Sequence, residues 1–376
     1  MRKSKLVLLA TGGTGGHMFP AEALATRLIA DSYKIALCTD RIGGSFGSAF
    51  ANRSVHRISA AGLAGYGPFG RLRGLFALGI GVLQAYRLLH KLKPSVVVGF
   101  GGYAAAPTTY AAIRARIPLI IHEQNAVLGR ANRFVAKHAK RVCVSFDETR
   151  LLPSEVSCTR TGMPIRSVFS EVGRHEYKPP TSDGPIRLLV LGGSQGASVF
   201  SKIVPEAISA VPALLRDRLE ITQQCRPELL EETQKKYSKI GVSSKLGTFF
   251  ENVSQLMGLA HLVISRAGAS SVAEVTAASR PSLLVPYPFA ADDHQSANAT
   301  SLESSGGGWH LSETNFTSEK LTDFLSSVLA NPEQLETVAK KAKAFSLPDA
   351  TIRLTNVVVQ AIERSHSSKL LKKGAI

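Results

Sequence analysis

Two stretches of the chain repeat one local grammar, in which a short apolar run enters a glycine-rich turn and a helix-forming segment follows. Lys5–Ala10 runs into Gly12-Gly13-Thr14-Gly15-Gly16-His17, and Ile186–Leu191 runs into Gly192-Gly193-Ser194-Gln195-Gly196-Ala197. Each opens a series. After the first come Lys34–Cys38, Ser95–Val98 leading to Gly99-Phe100-Gly101-Gly102, Pro118–Ile121 leading to His122-Glu123-Gln124-Asn125, and Arg141–Ser145. After the second come Leu219–Thr222, His261–Ser265 and Ser282–Pro286. Continuous apolar runs of this length are strands of a parallel sheet buried on both faces. The expected fold class is α/β, with two doubly wound parallel-sheet domains in series, for which 376 residues leave room. A first helix is expected over Pro20–Ala30, and breaker-rich linkers at Thr161-Gly162-Met163-Pro164 and over Lys178–Pro185. In such sheets ligands bind beyond the carboxyl ends of the strands, where the glycine loops lie.

Charge divides the halves. Residues 1–166 hold 23 Lys and Arg against 7 Asp and Glu, a net of +16, whereas residues 167–376 hold 22 against 21, a net of +1. A uniformly basic protein would spread the excess, so the asymmetry points to a polyanionic partner of the first half, nucleic acid or anionic lipid. Aromatic residues make up only 7 %, which leaves few stacking platforms for single strands and argues against nucleic acid. Cys38, Cys143, Cys158 and Cys225 form no zinc-type spacing and are expected as free thiols in a reducing compartment. The apolar run after Met1 is too short for a signal peptide, and no stretch approaches the roughly 20 apolar residues of a membrane-spanning helix. The expectation is a cytoplasmic protein that can still touch a membrane.

A glycine loop between strand and helix brings backbone N–H groups and the positive end of a helix dipole to an anion. Close strand–helix packing produces the same pattern, but three such loops in one chain favour phosphate or substrate binding. The nucleotide-triphosphate loop is excluded, because no loop carries its lysine. A dinucleotide loop is disfavoured: Asp40 suits it, but Met18 stands where its third glycine belongs. In Ser265-Arg266-Ala267-Gly268-Ala269-Ser270-Ser271-Val272-Ala273-Glu274 a strand ends in a small turn before a helix. Glu274, one turn in, can grip both hydroxyls of a ribose or can simply favour the helix dipole. Ala291-Asp292-Asp293-His294-Gln295-Ser296-Ala297-Asn298 is a second polar loop suited to sugar hydroxyls.

These motifs, with Tyr103 after the second loop and Thr161-Gly162-Met163-Pro164-Ile165-Arg166, resemble the MurG family of peptidoglycan glycosyltransferases in order over about residues 12–300. The resemblance implies a GT-B architecture of two Rossmann-like domains facing a cleft that closes for catalysis. Residues 1–166 would handle the acceptor and the membrane, 167–349 the nucleotide-sugar, with a C-terminal helix over about 350–376 packing back on the first domain. It implies inverting transfer of N-acetylglucosamine from UDP-N-acetylglucosamine to the 4-hydroxyl of the N-acetylmuramic acid of lipid I, giving lipid II, without cofactor or metal. By the same resemblance Ser194 would hold the α-phosphate, Arg166 the diphosphate and the main chain at Phe250 the uracil. Ala269, Ser270, Ser271, Val272, Ala273 and Glu274 would carry the nucleoside, and Asn125 and Gln295 the sugar. Thr14, Gly15 and Gly16 would join the substrate contacts beside His17, the candidate general base, for which a structural or phosphate-binding role is the competing reading.

Three departures bear on these roles: Met163 stands where the family usually has Asn, Gln223-Gln224-Cys225-Arg226 replaces His-Gln-[ST]-Gly, and His294 replaces a common Gln. Residues 69–93 set Phe69, Leu72, Leu75, Phe76, Leu78, Ile80, Val82 and Leu83 beside Arg71, Arg73, Arg87, Lys91 and Lys93. Such a segment either lies in a bilayer interface or turns its apolar face into the core. With the basic half and a lipid-linked acceptor, the expectation is peripheral attachment to the anionic, cytoplasmic face of the bacterial membrane. Rival readings are a diacylglycerol glycosyltransferase, which His122-Glu123-Gln124-Asn125 disfavours, and a nucleotide-sugar epimerase, which would not need an apolar-basic segment.

Overall fold

The computed structural model describes residues 5–12, 15–40, 48–50, 53–61, 68–193 and 196–373. The chain divides into two compact units, Met1–Ile165 with Asp349–Ile376, and Arg166–Pro348. Thr14 and Ser194 lie outside the described residues.

The first unit contains strands β1 (Leu6–Ala10), β2 (Lys34–Thr39), β3 (Ser54–Arg57), β4 (Val96–Gly99), β5 (Leu119–Glu123), β6 (Arg141–Val144) and β7 (Cys158–Arg160). Its helices are α1 (Gly15–Ala30), α2 (Pro68–Leu92), α3 (Ala106–Arg114) and α4 (Arg130–Ala136). The strands make one parallel sheet in the order β3-β2-β1-β4-β5-β6-β7. Alternate residues of a strand point to opposite faces, and both faces are covered. Val7 and Leu9 of β1 pack with Leu24 and Leu28 of α1, whereas Leu8 and Ala10 pack with Ala85 and Leu89 of α2 and Ala111 of α3.

The second unit contains β8 (Ile186–Leu191), β9 (Leu219–Gln224), β10 (Ser243–Gly247), β11 (Leu262–Ser265), β12 (Ser282–Leu284) and β13 (Trp309–His310). Helices α5 (Ser167–Val172), α6 (Ser198–Ala210), α7 (Ala213–Arg216), α8 (Leu230–Lys239) and α9 (Val253–Leu259) come first. They are followed by α10 (Ala269–Ala277), α11 (His294–Ser304), α12 (Ser318–Leu329) and α13 (Pro332–Phe345). Its parallel sheet runs β10-β9-β8-β11-β12-β13 around a core where Leu188 and Val190 meet Phe200 and Val204 of α6 and Leu325 of α12. A last helix, α14 (Ala350–Lys373), returns to the first unit and inserts Leu354, Val358 and Ile362 beside Val7 and Leu9.

In both sheets the order reverses beside the first strand, between β1 and β4 and between β8 and β11. The crevice beyond such a reversal is where doubly wound sheets take their ligands. Glycines follow each of these four strands among the described residues: Gly12, Gly101 and Gly102, Gly192 and Gly193, and Gly268.

Three expectations are corrected. The first helix begins at Gly15, not Pro20, so His17 lies in its first turn. Pro20 removes only the bond to the Gly16 carbonyl, and Gly16 is exposed, so solvent can serve that group. Arg166, expected at the end of the first domain, opens the second unit as the N-cap residue of α5. Finally, α2 over Leu72–Leu92 is long and apolar enough to cross a membrane by length and composition, contrary to the expectation that no stretch approaches that limit. In the structure it packs on the first unit through small residues and, near its end, through Leu89. Gly74, Gly81 and Ala85 are buried, and a Cβ at Gly81 would lie 1.9 Å from the Ser59 carbonyl oxygen.

Candidate functional site

In the first unit the crevice is built around His17. Its ring rests on two glycines: a Cβ at Gly102 would approach His17 Cδ2 to 3.1 Å, and one at Gly12 to 3.5 Å. Gly102 has φ +76°, a conformation that only glycine adopts without strain. His17 Nδ1 lies 3.0 Å from Gln124 Oε1. Gln124 Nε2 donates to the His122 carbonyl at 3.0 Å and lies 3.1 Å from His122 Nδ1, and His122 Nε2 donates to the Gly162 carbonyl at 2.9 Å. His122 and Gln124 are both buried. Burial pushes the His122 pKa down to about 4, with a bond to Gly162 opposing and the nearby His17 adding to the shift. Gly15 and Gly16 are the first residues of α1 beneath His17.

Glu123 organises the next loop. Its carboxylate accepts from the N–H and Nδ2 of Asn125 at 3.1 and 3.3 Å, from the Gly129 N–H at 2.9 Å and from Asn132 Nδ2 at 2.8 Å. The structure thus splits His122-Glu123-Gln124-Asn125 by task. Glu123 holds the loop, His122 and Gln124 reach back toward α1, and Asn125 stays half-buried at the surface.

In the second unit α10 begins directly after the turn that ends β11. Its N-cap residue, Gly268, has no side chain to cap the first N–H groups, which remain available to an anion. Ala269 and Val272 turn their side chains into the core, so they can meet a ligand only through the main chain. Ser270, Ser271, Ala273 and Glu274 are partly accessible, and the Ser270 hydroxyl has no hydrogen-bond partner. Glu274 Oε1 accepts from Arg166 Nη2 at 3.4 Å. Burial nevertheless raises the Glu274 pKa to about 7, against the lowering pull of the Arg166 charge and hydrogen bond. The Arg166 guanidinium also lies 5.0 Å from the Phe169 ring centre.

Gln295, in the first turn of α11, accepts the Tyr287 N–H through Oε1 at 3.0 Å and so fixes the loop after β12. Asp292 and Asp293, just before α11, both take φ 52°, an uncommon left-handed pair for non-glycine residues. Phe250 follows β10, with its ring where a Cβ at Gly247 would come within 2.9 Å. Gly196, φ +68°, leaves room for Arg226, whose Cγ would lie 2.9 Å from a Cβ there. Among the described residues, no group of three or more His, Cys, Asp or Glu is arranged to hold a metal ion.

The structure therefore gathers Gly15, Gly16, His17 and the Asn125 loop in the first unit. It gathers Arg166 and Ala269 through Glu274 in the second, with Phe250 just after β10 and Gln295 in the first turn of α11. Asn132 was not named from the sequence, and His122, Glu123, Gln124, Arg266 and Asn298 were read there as members of motifs, without the organising contacts the structure gives them. Arg266 donates to the Val285 and Pro286 carbonyls at 3.2 Å, and Asn298 donates to the Ala267 carbonyl at 3.0 Å. The signal available was a run of polar residues closing the apolar strand β5, since buried polar groups must find partners.

Comparison with known proteins agrees in both halves. The glycosyltransferase family 28 N-terminal domain matches residues 7–144 and the family 28 C-terminal domain matches residues 187–354. A UDP-N-acetylglucosamine–N-acetylmuramyl-(pentapeptide) pyrophosphoryl-undecaprenol N-acetylglucosamine transferase of Paramagnetospirillum magneticum is 46 % identical over 95 % of this chain and 97 % of its own length. The protein of the same name from Rhodospirillum centenum is 47 % identical over 94 % of each chain. The crystal structure of Acinetobacter baumannii MurG superposes with a TM-score of 0.79 at 29 % identity, covering 95 % of this chain and 99 % of that one. With both domains matched in order and such identity across nearly its whole length, the chain belongs to the MurG family of family 28 glycosyltransferases.

Proposed function

We infer that the chain is an inverting glycosyltransferase that moves N-acetylglucosamine from UDP-N-acetylglucosamine to the 4-hydroxyl of the N-acetylmuramic acid of lipid I, forming lipid II for peptidoglycan. The observation that carries this reading is the end-to-end identity with transferases named for that reaction. The site geometry supports it, since uncapped helix N-termini and glycine loops stand at the switch points of two parallel sheets.

The reaction is displacement at an anomeric carbon: the acceptor hydroxyl loses a proton as it attacks, and UDP leaves with growing negative charge. His17 serves as general base, an assignment supported by its place in the first turn of α1 over Gly12 and Gly102. Gly15, Gly16 and Thr14 contact substrate beside it. On the donor side Arg166 and the Ser194 loop stabilise the diphosphate, and Glu274 accepts the ribose hydroxyls. Ala269 through Ala273 line the nucleoside, the main chain at Phe250 meets the uracil, and Gln295 and Asn125 read the sugar.

The acceptor is lipid-linked, and α2 supports peripheral attachment of the first domain to the anionic cytoplasmic face of the membrane. Leu72, Leu75, Phe76 and Leu83 are 70, 56, 73 and 60 % exposed. At 100° per residue they share one helix face, opposite buried Gly74, Gly81 and Ala85 and bordered by exposed Arg73, Arg87 and Lys91.

Incubation with UDP-N-acetylglucosamine and a lipid I analogue, following UDP release and the product's mass, tests the reaction. A disaccharide product is expected, and UDP release without a glycosylated acceptor would overturn the reading.

A further inference from the structure

The contacts behind His17 leave little freedom in where protons sit. The Gly162 carbonyl can only accept, so His122 must carry a hydrogen on Nε2. His122 is fully buried and neutral, so its Nδ1 holds a lone pair and must accept. The Gln124 group facing that Nδ1 at 3.1 Å, and the His122 carbonyl at 3.0 Å, is therefore the amide NH2, which spends both hydrogens there. A flipped amide would press its oxygen against a carbonyl oxygen and a ring lone pair. Gln124 Oε1 is thus the atom 3.0 Å from His17 Nδ1. An amide oxygen can only accept, so His17 Nδ1 must donate.

We propose that Gln124 and His122 are positioning residues that set the tautomer of His17, keeping its hydrogen on Nδ1 so that Nε2 presents a lone pair. Neutral histidine in water favours the opposite tautomer, with the hydrogen on Nε2, where it could not take a proton from a substrate hydroxyl. The relay Gly162–His122–Gln124 overrides that preference by hydrogen-bond direction alone. It links β5, the turn after β7 and the first turn of α1, and it ties residues 107 positions apart in the chain. His17 Nε2 lies on the Gly102 side, 3.4 Å from where a Cβ at that residue would stand, so the glycine keeps the approach to this nitrogen open. The inference rests on the reading of His17 as general base only for its catalytic consequence, not for the tautomer itself.

Nitrogen-15 NMR of the full-length protein, at a pH where His17 is neutral and with His17→Ala to assign the signal, reads the tautomer directly. The expected spectrum shows a protonated Nδ1 and a pyridine-like Nε2, and a protonated Nε2 in the wild-type protein would overturn the proposal. Gln124→Ala should move His17 toward the Nε2–H form. It should lower kcat roughly 100-fold, within the range of lost acid–base catalysis, with the KM for UDP-N-acetylglucosamine nearly unchanged. Wild-type kcat in Gln124→Ala beside an inactive His17→Ala would sink the relay and leave the base assignment standing. Wild-type kcat in His17→Ala would sink the base assignment, and the spectrum would still decide the tautomer.

Discussion

Glu274 sits where burial works against its own charge. Its pKa is raised to about 7 although Arg166 stands 3.4 Å away, so the carboxylate proposed to accept two ribose hydroxyls gains its charge in the neutral pH range. Because the folded state holds this proton above the ordinary carboxylate range, folding stability from this group declines as pH rises from that range through about 7. Donor binding has the opposite sign, since a ligand that needs the ionised form binds better as pH rises through the same window. Calorimetric titration with UDP should show affinity increasing between pH 6 and 8, with proton release on binding. Glu274→Gln should flatten that dependence and weaken binding by about 1.5–3 kcal/mol, the worth of a hydrogen bond to a charged group. An unchanged pH profile in the variant would place the titration elsewhere. The ribose expectation for Glu274 rests on its place one turn into a helix after a small turn. Its partner was not, because Arg166 lies 108 residues away in the chain.

Among the elements, the central strands β1, β2, β4, β5, β6, β8, β9, β11 and β12 were all legible as apolar runs. The four strands not expected, β3, β7, β10 and β13, are the two edges of each sheet. Their sequences, Ser-Val-His-Arg, Cys-Thr-Arg, Ser-Ser-Lys-Leu-Gly and Trp-His, carry no continuous apolar run. An edge strand is covered less and is defined by the ladder it joins rather than by its own hydrophobicity. Helix α2 inverts the usual rule. Gly74, Gly81 and Ala85 line its buried side because the backbone comes close to Ser59, and Leu72, Leu75, Phe76 and Leu83 are left outside, whereas Leu89 near its end is buried in the core. Sedimentation with anionic vesicles at low salt should carry the wild-type protein down. Leu75→Glu with Phe76→Glu should reduce binding at least 100-fold, since each lost burial is worth about 1.5–3 kcal/mol. Equal sedimentation of both proteins would remove α2 from the membrane-binding surface.

At the scale of the whole molecule, α14 ties the end of the chain into the core of the first unit. Leu354 is fully buried against β1 and α1, so the last helix completes a core begun by the first strand. Leu354→Ala should cost about 2–5 kcal/mol, as other buried leucine truncations do. That loss belongs to the first unit. The single tryptophan, Trp309, packs on Phe324 in the second unit at 5.2 Å and reports on it alone. In urea, circular dichroism of the variant should therefore begin to fall at lower denaturant than Trp309 fluorescence changes. Coincident shifts of both signals would show that the helix does not act on the first unit separately.

Local chemistry sufficed for the α/β class, the two-sheet series, the glycine loops and the family, since apolar runs and backbone demands are written in neighbouring residues. Only the tertiary structure decided the edge strands, the outward face of α2, the Arg166–Glu274 pair and the hydrogen-bond path from Gly162 to His17. Each of these depends on which distant groups meet and how deeply they are buried, and a buried polar group takes its role from the partner that packing brings to it.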